Sequence, residues 1–288
     1  MTHGVISEEA CIQNERSMEA EWQEATATPD ASFKKEIEMI MAGEKGLSFS
    51  ALKAFLQSPR HFFKYKTQKG STAAMEEGTL FHLAVLEPEV FKTKYFVLED
   101  TNVCIEIGGA RPRTTSRYKD WLEQEIARHP GQEMISQEEW DQYTGMAKFL
   151  RENSATKHLL EGLIATEKPF KMTYEGYLVT GRIDGVGSDY VMDLKKVADA
   201  SFKKVKWIIY DMMYDMQGAI YSLAEGKNKF YLVFIDNAWN VTVVKICVET
   251  LQAGLSKFEG ALSEFTRCVE EDLFQSSYEF YNHGFIEI

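Results

Sequence analysis

Apolar residues recur at helical spacing over the first half of the chain. Leu52, Phe55 and Leu56 follow Ser48 and Ser50, which predicts a capped helix. Ser58-Pro59 opens a second helix with Phe62, Phe63 and Tyr65 on one side and Arg60, Lys64, Lys66 and Lys69 on the other. A third run, about Met75 to Leu86, spaces Leu80, Leu83 and Leu86 as a buried face, holds His82 in its middle and stops at Glu87-Pro88. Tyr95 to Leu98 reads as a short strand and Gly108 to Arg117 as a loop. Helices are predicted over Tyr118 to Arg128 and Gln137 to Asn153.

The period then changes to two. Pro169 to Tyr174 and Tyr177 to Val186 are strand-like runs joined by Glu175-Gly176, and Tyr190 to Lys196 follows the turn Gly187-Ser188-Asp189, so a three-stranded antiparallel meander is expected. One long helix over Val205 to Glu225, a buried strand Phe230 to Ile235, an edge strand within Asn240 to Val248 and a closing helix Leu251 to Glu271 complete an α/β (α+β) chain. The acidic stretch from Met1 to Gly46, with its Ala25 to Asp30 segment, reads as a flexible arm ahead of one domain over residues 47–288.

Composition narrows the class. A chain of 288 residues that is 44% hydrophobic and 26% charged is globular, and it contains no run long and apolar enough to span a membrane. The N-terminus carries Glu8, Glu9, Glu15 and Arg16 where a secretory signal needs an apolar centre, so a cytoplasmic location is expected. Cys11, Cys104, Cys247 and Cys268 show no C-x-x-C spacing and are expected to be reduced thiols. The net charge of −12 excludes a uniformly basic surface but leaves room for a local basic groove.

Candidate chemistry concentrates in the two-fold region. Side chains i and i+2 of a strand share a face, so Asp193 and Lys195 project together while Leu194 packs behind them. Asp184 ends the neighbouring strand and can lie beside Asp193. Two carboxylates and an ammonium at one point are costly unless a divalent cation or a catalytic role compensates. Gln217 and Tyr221 share a helix face. Taken singly, residues of these types are more often a solvated strand edge, helix packing partners and a core histidine than a site.

Their order is His82 within Gly78-Thr79-Leu80-Phe81-His82, then Asp184, Asp193-Leu194-Lys195, and Gln217-Gly218-Ala219-Ile220-Tyr221. This order resembles the PD-(D/E)xK nuclease superfamily in its RecB-like form. The segments Leu47 to Tyr65, Gly78 to Glu89, Arg111 to Trp121, Ile135 to Leu150 and Leu159 to Ser201 are similar to the RecE (exonuclease VIII) family and its phage relatives. The resemblance implies a mixed central sheet flanked by helices and a magnesium-dependent 5′ to 3′ exonuclease, with manganese a substitute. Its substrate would be linear double-stranded DNA, left with 3′ overhangs for single-strand annealing recombination in a bacterial or phage-infected host. It also implies a homo-oligomeric ring and a RecT-type annealing partner. By the same resemblance His82, Asp184, Asp193 and the Leu194 carbonyl hold metal, Lys195 serves the attacking water and Gln217 and Tyr221 position the strand. Lys196 and Val197 stand where these nucleases usually carry Thr. Arg111, Arg113 and Arg117, and similarly Arg60, Lys64, Lys66, Lys203, Lys204 and Lys206, are candidate DNA contacts or solvated faces. An endonuclease of the same superfamily and a non-catalytic DNA-binding protein are the competing readings.

Overall fold

Side-chain caps start most of the early helices in this computed structural model, which describes residues 29–68, 70 and 72–282. Asp30 accepts the Phe33 amide at 2.8 Å to open α1 (Ala31–Met41), and Ser48 does the same for Ala51 in α2 (Phe49–Gln57). Ser58, with Pro59 at the first helical position, opens α3 (Pro59–Thr67). Thr72 caps α4 (Ala73–Leu86), the helix of His82, and Pro88 begins α5 (Pro88–Lys94). β1 (Tyr95–Val97) follows, then α6 (Thr101–Ile107), α7 (Ser116–Arg128) and β2 (Glu133–Ile135), which pairs in parallel with β1. Ser136 and Glu139 close a reciprocal capping box at the head of α8 (Gln137–Glu152), and the short α9 (Lys157–Glu161) leads into the main sheet.

That sheet has five strands in the order β3 (Leu163–Tyr174), β4 (Tyr177–Gly187), β5 (Val191–Lys196), β6 (Phe230–Ile235) and β7 (Val241–Ile246). β4 and β5 run antiparallel, β5 and β6 parallel, β6 and β7 antiparallel, so the sheet is mixed. A parallel neighbour needs a long crossover, and α10 (Phe202–Asp211) and α11 (Tyr214–Glu225) supply it between β5 and β6. α12 (Val248–Glu270) and α13 (Glu279–Asn282) end the described chain.

The residues group into two compact units, one of 29–68, 171–180 and 257–282, the other of 70–170 and 181–256. The first is built on an aromatic cluster in which Phe33 meets Phe63 at 4.8 Å and Phe55 meets Phe265 at 5.3 Å, edge to face. In the second, Phe81, Val85 and Leu86 of α4, Met146 and Leu150 of α8, Met192 and Leu194 of β5 and Val233 of β6 form one buried cluster. Each such side chain contributes roughly 1.5–3 kcal/mol by leaving water.

Two expectations are corrected. The flexible arm was expected to reach Gly46, but from Asp30 onward the chain is capped and helical, because Phe33, Ile37 and Ile40 give α1 a buried face at i, i+4 and i+7. The rest of that expectation, residues 1–28, lies outside the described residues. The single helix over Val205 to Glu225 is two helices, separated at Met213, whose φ of 55° is left-handed. The halves need different surroundings: α10 buries only Val205 and Ile209, whereas every residue of α11 from Tyr214 to Ser222 is buried. One straight helix would carry the solvated face of the first half into the packed second half.

Candidate functional site

The register of β4 against β5 pairs Gly185 with Met192, so one rung further Asp184 meets Asp193. Asp184 is 6% exposed and Asp193 1%, which makes this two buried carboxylates on adjacent strands. Gly185 is required here: a side chain on it would stand 2.6 Å from Met192 Cγ and 2.7 Å from Leu163 Cδ2. Asp184 Oδ2 accepts the Leu194 amide at 2.7 Å, which fixes the carboxyl.

α4 brings His82 over the strand ends. Its Nε2 lies 3.1 Å from the Leu194 carbonyl oxygen, and its Nδ1 lies 3.5 Å from Asp184 Oδ1 and 3.5 Å from Glu167 Oε1. Ligand atoms of His82, Glu167 and Asp184 fall within 4.8 Å of one another. Burial pulls the imidazole toward its neutral form, but the charges of Asp184, Glu167 and Asp193 outweigh it and lift the pKa to about 9. The Asp184 carboxyl is pushed up, first by burial and then by the Asp193 charge. Protons and a cation therefore compete for the same lone pairs. A set of two hard carboxylates and an imidazole, with Glu167 Oε1 buried and accepting no hydrogen bond, fits a divalent ion.

Asp193 stands beside this triad with both oxygens engaged. Gln217 Nε2 donates to Oδ1 at 2.9 Å, and the Lys195 ammonium sits 2.6 Å from Oδ2. Gln217 Nε2 also donates to the Tyr221 hydroxyl oxygen at 3.0 Å, so the two residues of α11 and Asp193 form one chain of contacts. Lys195 Nζ lies 4.5 Å from the Tyr214 ring centre. Burial opposes its charge, yet Asp193 foremost, with Tyr214 and Asp184, holds the ammonium above the usual lysine range. α11 reaches this position because Gly218 lets it lie on Phe230 of β6. The cleft in front, about 350 Å3, is lined by Glu77, His82, Lys195 and Lys196 among others. Lys196 is bound to Glu77 at 2.6 Å and lies over the Tyr143 ring.

His82, Asp184, Asp193, the Leu194 carbonyl, Lys195, Gln217 and Tyr221 are thus all gathered within one unit. Glu167 was missed by sequence reasoning, which began the strand at Pro169. It sits on β3 with a φ of 46°, a left-handed turn of the strand that aims its carboxylate at His82. The signal present was an acidic residue two positions ahead of the expected strand.

The basic candidates divide. Arg113, an exposed side chain, donates from Nε and Nη2 to both oxygens of buried Asp100 at 2.6 and 2.9 Å, while the Tyr118 hydroxyl donates to the same carboxylate at 2.6 Å. Arg60 likewise donates from Nε and Nη2 to the Gln275 carbonyl oxygen. Each of these two commits two of its three guanidinium nitrogens to the fold, which gives it an anchoring task beside any contact with DNA. Arg111 and Arg117 are exposed and Lys64 is half-buried.

A family model described as "PDDEXK-like domain of unknown function (DUF3799)" matches residues 48–277. No curated protein sequence matches the chain. Among solved structures, a "Putative exonuclease" from Eubacterium rectale superposes with a TM-score of 0.53 at 13% identity, covering 91% of this chain and 95% of that one. An alkaline exonuclease from Laribacter hongkongensis gives a TM-score of 0.29 at 13% identity, covering 67% of this chain and 95% of that one. The first of these structures shares the fold, and the expected mixed sheet flanked by helices is the one observed.

Proposed function

The chain belongs to the family of PDDEXK-like domains, and from that premise we propose that it is a metal-dependent deoxyribonuclease acting on DNA ends. The observation that carries the reading is the convergence of buried Asp184 and Asp193 with half-buried Glu167, His82 and Lys195, of which His82 and Lys195 line the cleft. Two buried carboxylates beside a third acid are costly to fold unless a cation or a catalytic role compensates.

A magnesium ion, with manganese as substitute, would neutralise charge on the phosphate and supply an activated water. His82, Glu167 and Asp184 would hold it, with Asp193 and the Leu194 carbonyl beside them. Lys195, whose ammonium sits 2.6 Å from Asp193 Oδ2, would place a positive charge toward the phosphate and the attacking water. Gln217 holds Asp193 in place and is itself bound to Tyr221, and this pair would position the strand through Asp193. In its finer form the proposal is a 5′ to 3′ exonuclease that digests linear duplex DNA to 3′ overhangs, works as a homo-oligomeric ring and hands its product to a RecT-type annealing protein. The RecE-like order of motifs supports this form.

Digestion of a 5′-phosphorylated linear duplex is compared with that of a covalently closed circle, with magnesium or with a chelator, for the protein and for Asp193→Ala. Loss of the linear duplex alone, dependent on metal and on Asp193, is expected. Cutting of the circle identifies an endonuclease instead, and an inert protein that still binds duplex would leave only DNA binding.

A further inference from the structure

The outer face of α10 is not that of an ordinary surface helix. Its sequence, Phe202-Lys203-Lys204-Val205-Lys206-Trp207-Ile208-Ile209-Tyr210-Asp211, buries Val205 and Ile209 and turns Phe202, Trp207 and Tyr210 outward at 72%, 63% and 51% exposure. At 100° per residue Phe202, Lys206, Tyr210, Lys203, Trp207, Asp211 and Lys204 follow one another around the exposed side, rings interleaved with three ammonium groups and one carboxylate, Asp211, between Trp207 and Lys204. None of the three lysines is in a salt bridge among the described residues. The helix begins six residues after Lys196, in the crossover that joins β5 to the helix of Gln217.

Such a face has a cost that needs a reason, since three large rings in water gain nothing for the fold. Two kinds of occupant suit exposed aromatics. An interface between protein copies is depleted of lysine, whereas single-stranded nucleic acid is tracked by surfaces that alternate stacking rings with positive charge. In a chain of net charge −12 the local excess of lysine is complementary to a polyanion.

We propose that the outer face of α10 binds single-stranded DNA, with bases stacked on Trp207, Tyr210 and Phe202 and phosphates held by Lys203, Lys204 and Lys206. The assignment rests on the nuclease reading only in that a single strand is then the product of the adjacent cleft; the binding itself requires no metal.

Fluorescein-labelled oligothymidylate is titrated in chelator with full-length protein, Trp207→Ala/Tyr210→Ala and Lys203→Gln/Lys204→Gln/Lys206→Gln, following anisotropy and tryptophan quenching. Stacking at about 1–3 kcal/mol per base predicts that the aromatic variant binds at least about tenfold more weakly. The lysine variant is expected to flatten the dependence of log affinity on log salt by about 2, at roughly 0.7 for each phosphate no longer held. Trp207→Gln is the reserve if the double variant does not fold. Unchanged affinity in the aromatic variants overturns the proposal, as does a change of oligomeric mass in light scattering with affinity unchanged, which would make the face a contact between copies. Digestion of linear duplex is measured separately, so an inactive protein that binds oligothymidylate through α10 refutes the nuclease reading and leaves this one standing.

Discussion

Gly218→Ala tests how the fold sets the site. A Cβ at this position would stand 2.3 Å from Phe230 Cδ1, 2.6 Å from Cε1 and 3.0 Å from Cγ, against a ring that is fully buried on β6. Carbon atoms pack at about 3.5 Å or more, so the overlap is about 1.2 Å, and α11 has to back away by about 1 Å because the ring has nowhere to turn. Overpacking of this size costs about 1–3 kcal/mol, and replacing Gly by Ala inside a helix returns about 1 kcal/mol, for a net loss of about 0–2 kcal/mol. The effect on chemistry is larger than the effect on stability. Gln217 holds Asp193 on β5 at 2.9 Å, and a shift of α11 by about 1 Å takes that contact outside hydrogen-bonding range, while the 3.0 Å contact of Gln217 to Tyr221 lies within α11 and moves with it. A misplacement of that scale lowers turnover by about 100-fold. Urea denaturation and initial digestion rates measure the two effects, and Phe230→Leu supplies the control. In that smaller background Gly218→Ala should cost less than in the parent, with a coupling of about 1 kcal/mol or more. A Gly218→Ala protein as stable and as active as the parent, or strict additivity with Phe230→Leu, refutes the account.

Three further outcomes are expected. Lys195→Ala abolishes digestion and, by leaving buried Asp193 with Gln217 alone, destabilises the protein by about 3 kcal/mol, read by urea denaturation; digestion at the parent rate would remove the ammonium from the mechanism. Glu167→Gln weakens manganese binding in calorimetry by about tenfold or more while the circular dichroism spectrum is kept, and unaltered affinity would return Glu167 to a bystander of His82. Arg113 hydrogen-bonds Asp100 and, with Tyr118, outweighs the opposing effect of burial to hold that carboxyl well below its ordinary range. The contribution is therefore present above the unfolded carboxylate value near 4 and fades as pH falls through the folded one. Melting temperatures of Arg113→Met should lie below the parent at neutral pH and converge with it in acid, with duplex affinity unchanged; a gap that persists at low pH, or weakened duplex binding, would mean the side chain works elsewhere.

Legibility in the sequence followed how local each cause is. The helices around Ser48, Ser58 and Ser136 could be placed because cap and first turn lie within a few residues. The strand β5 could be read because alternation puts Asp193 and Lys195 on one face and Leu194 on the other, as the Lys195 to Asp193 contact and the buried Leu194 show. What escaped was set by tertiary demand. The break at Met213 carries no Gly or Pro, and it follows from α11 being enclosed on all sides. Glu167 escaped because a left-handed residue within a strand breaks the alternation by which strands are recognised. The hold of Arg113 on Asp100 escaped because a guanidinium that serves a loop is written in sequence just like one that serves a phosphate.

The net charge of −12 is for the same reason a poor guide to what the surface meets. Asp184, Asp193 and Glu167 add three formal negative charges to the total, yet they are turned inward upon His82 and Lys195. Asp100 adds another and spends it on Arg113. The lysines of α10, by contrast, face water without a salt bridge among the described residues, and they follow the motif lysine within a short stretch of chain. A polyanion senses charges within about 10 Å at moderate salt, so the field along one helix and one cleft decides where it lands. Sign summed over a chain reports how strongly the remaining surface repels DNA, and a nuclease that must release its product gains from that repulsion everywhere except along the path of the strand.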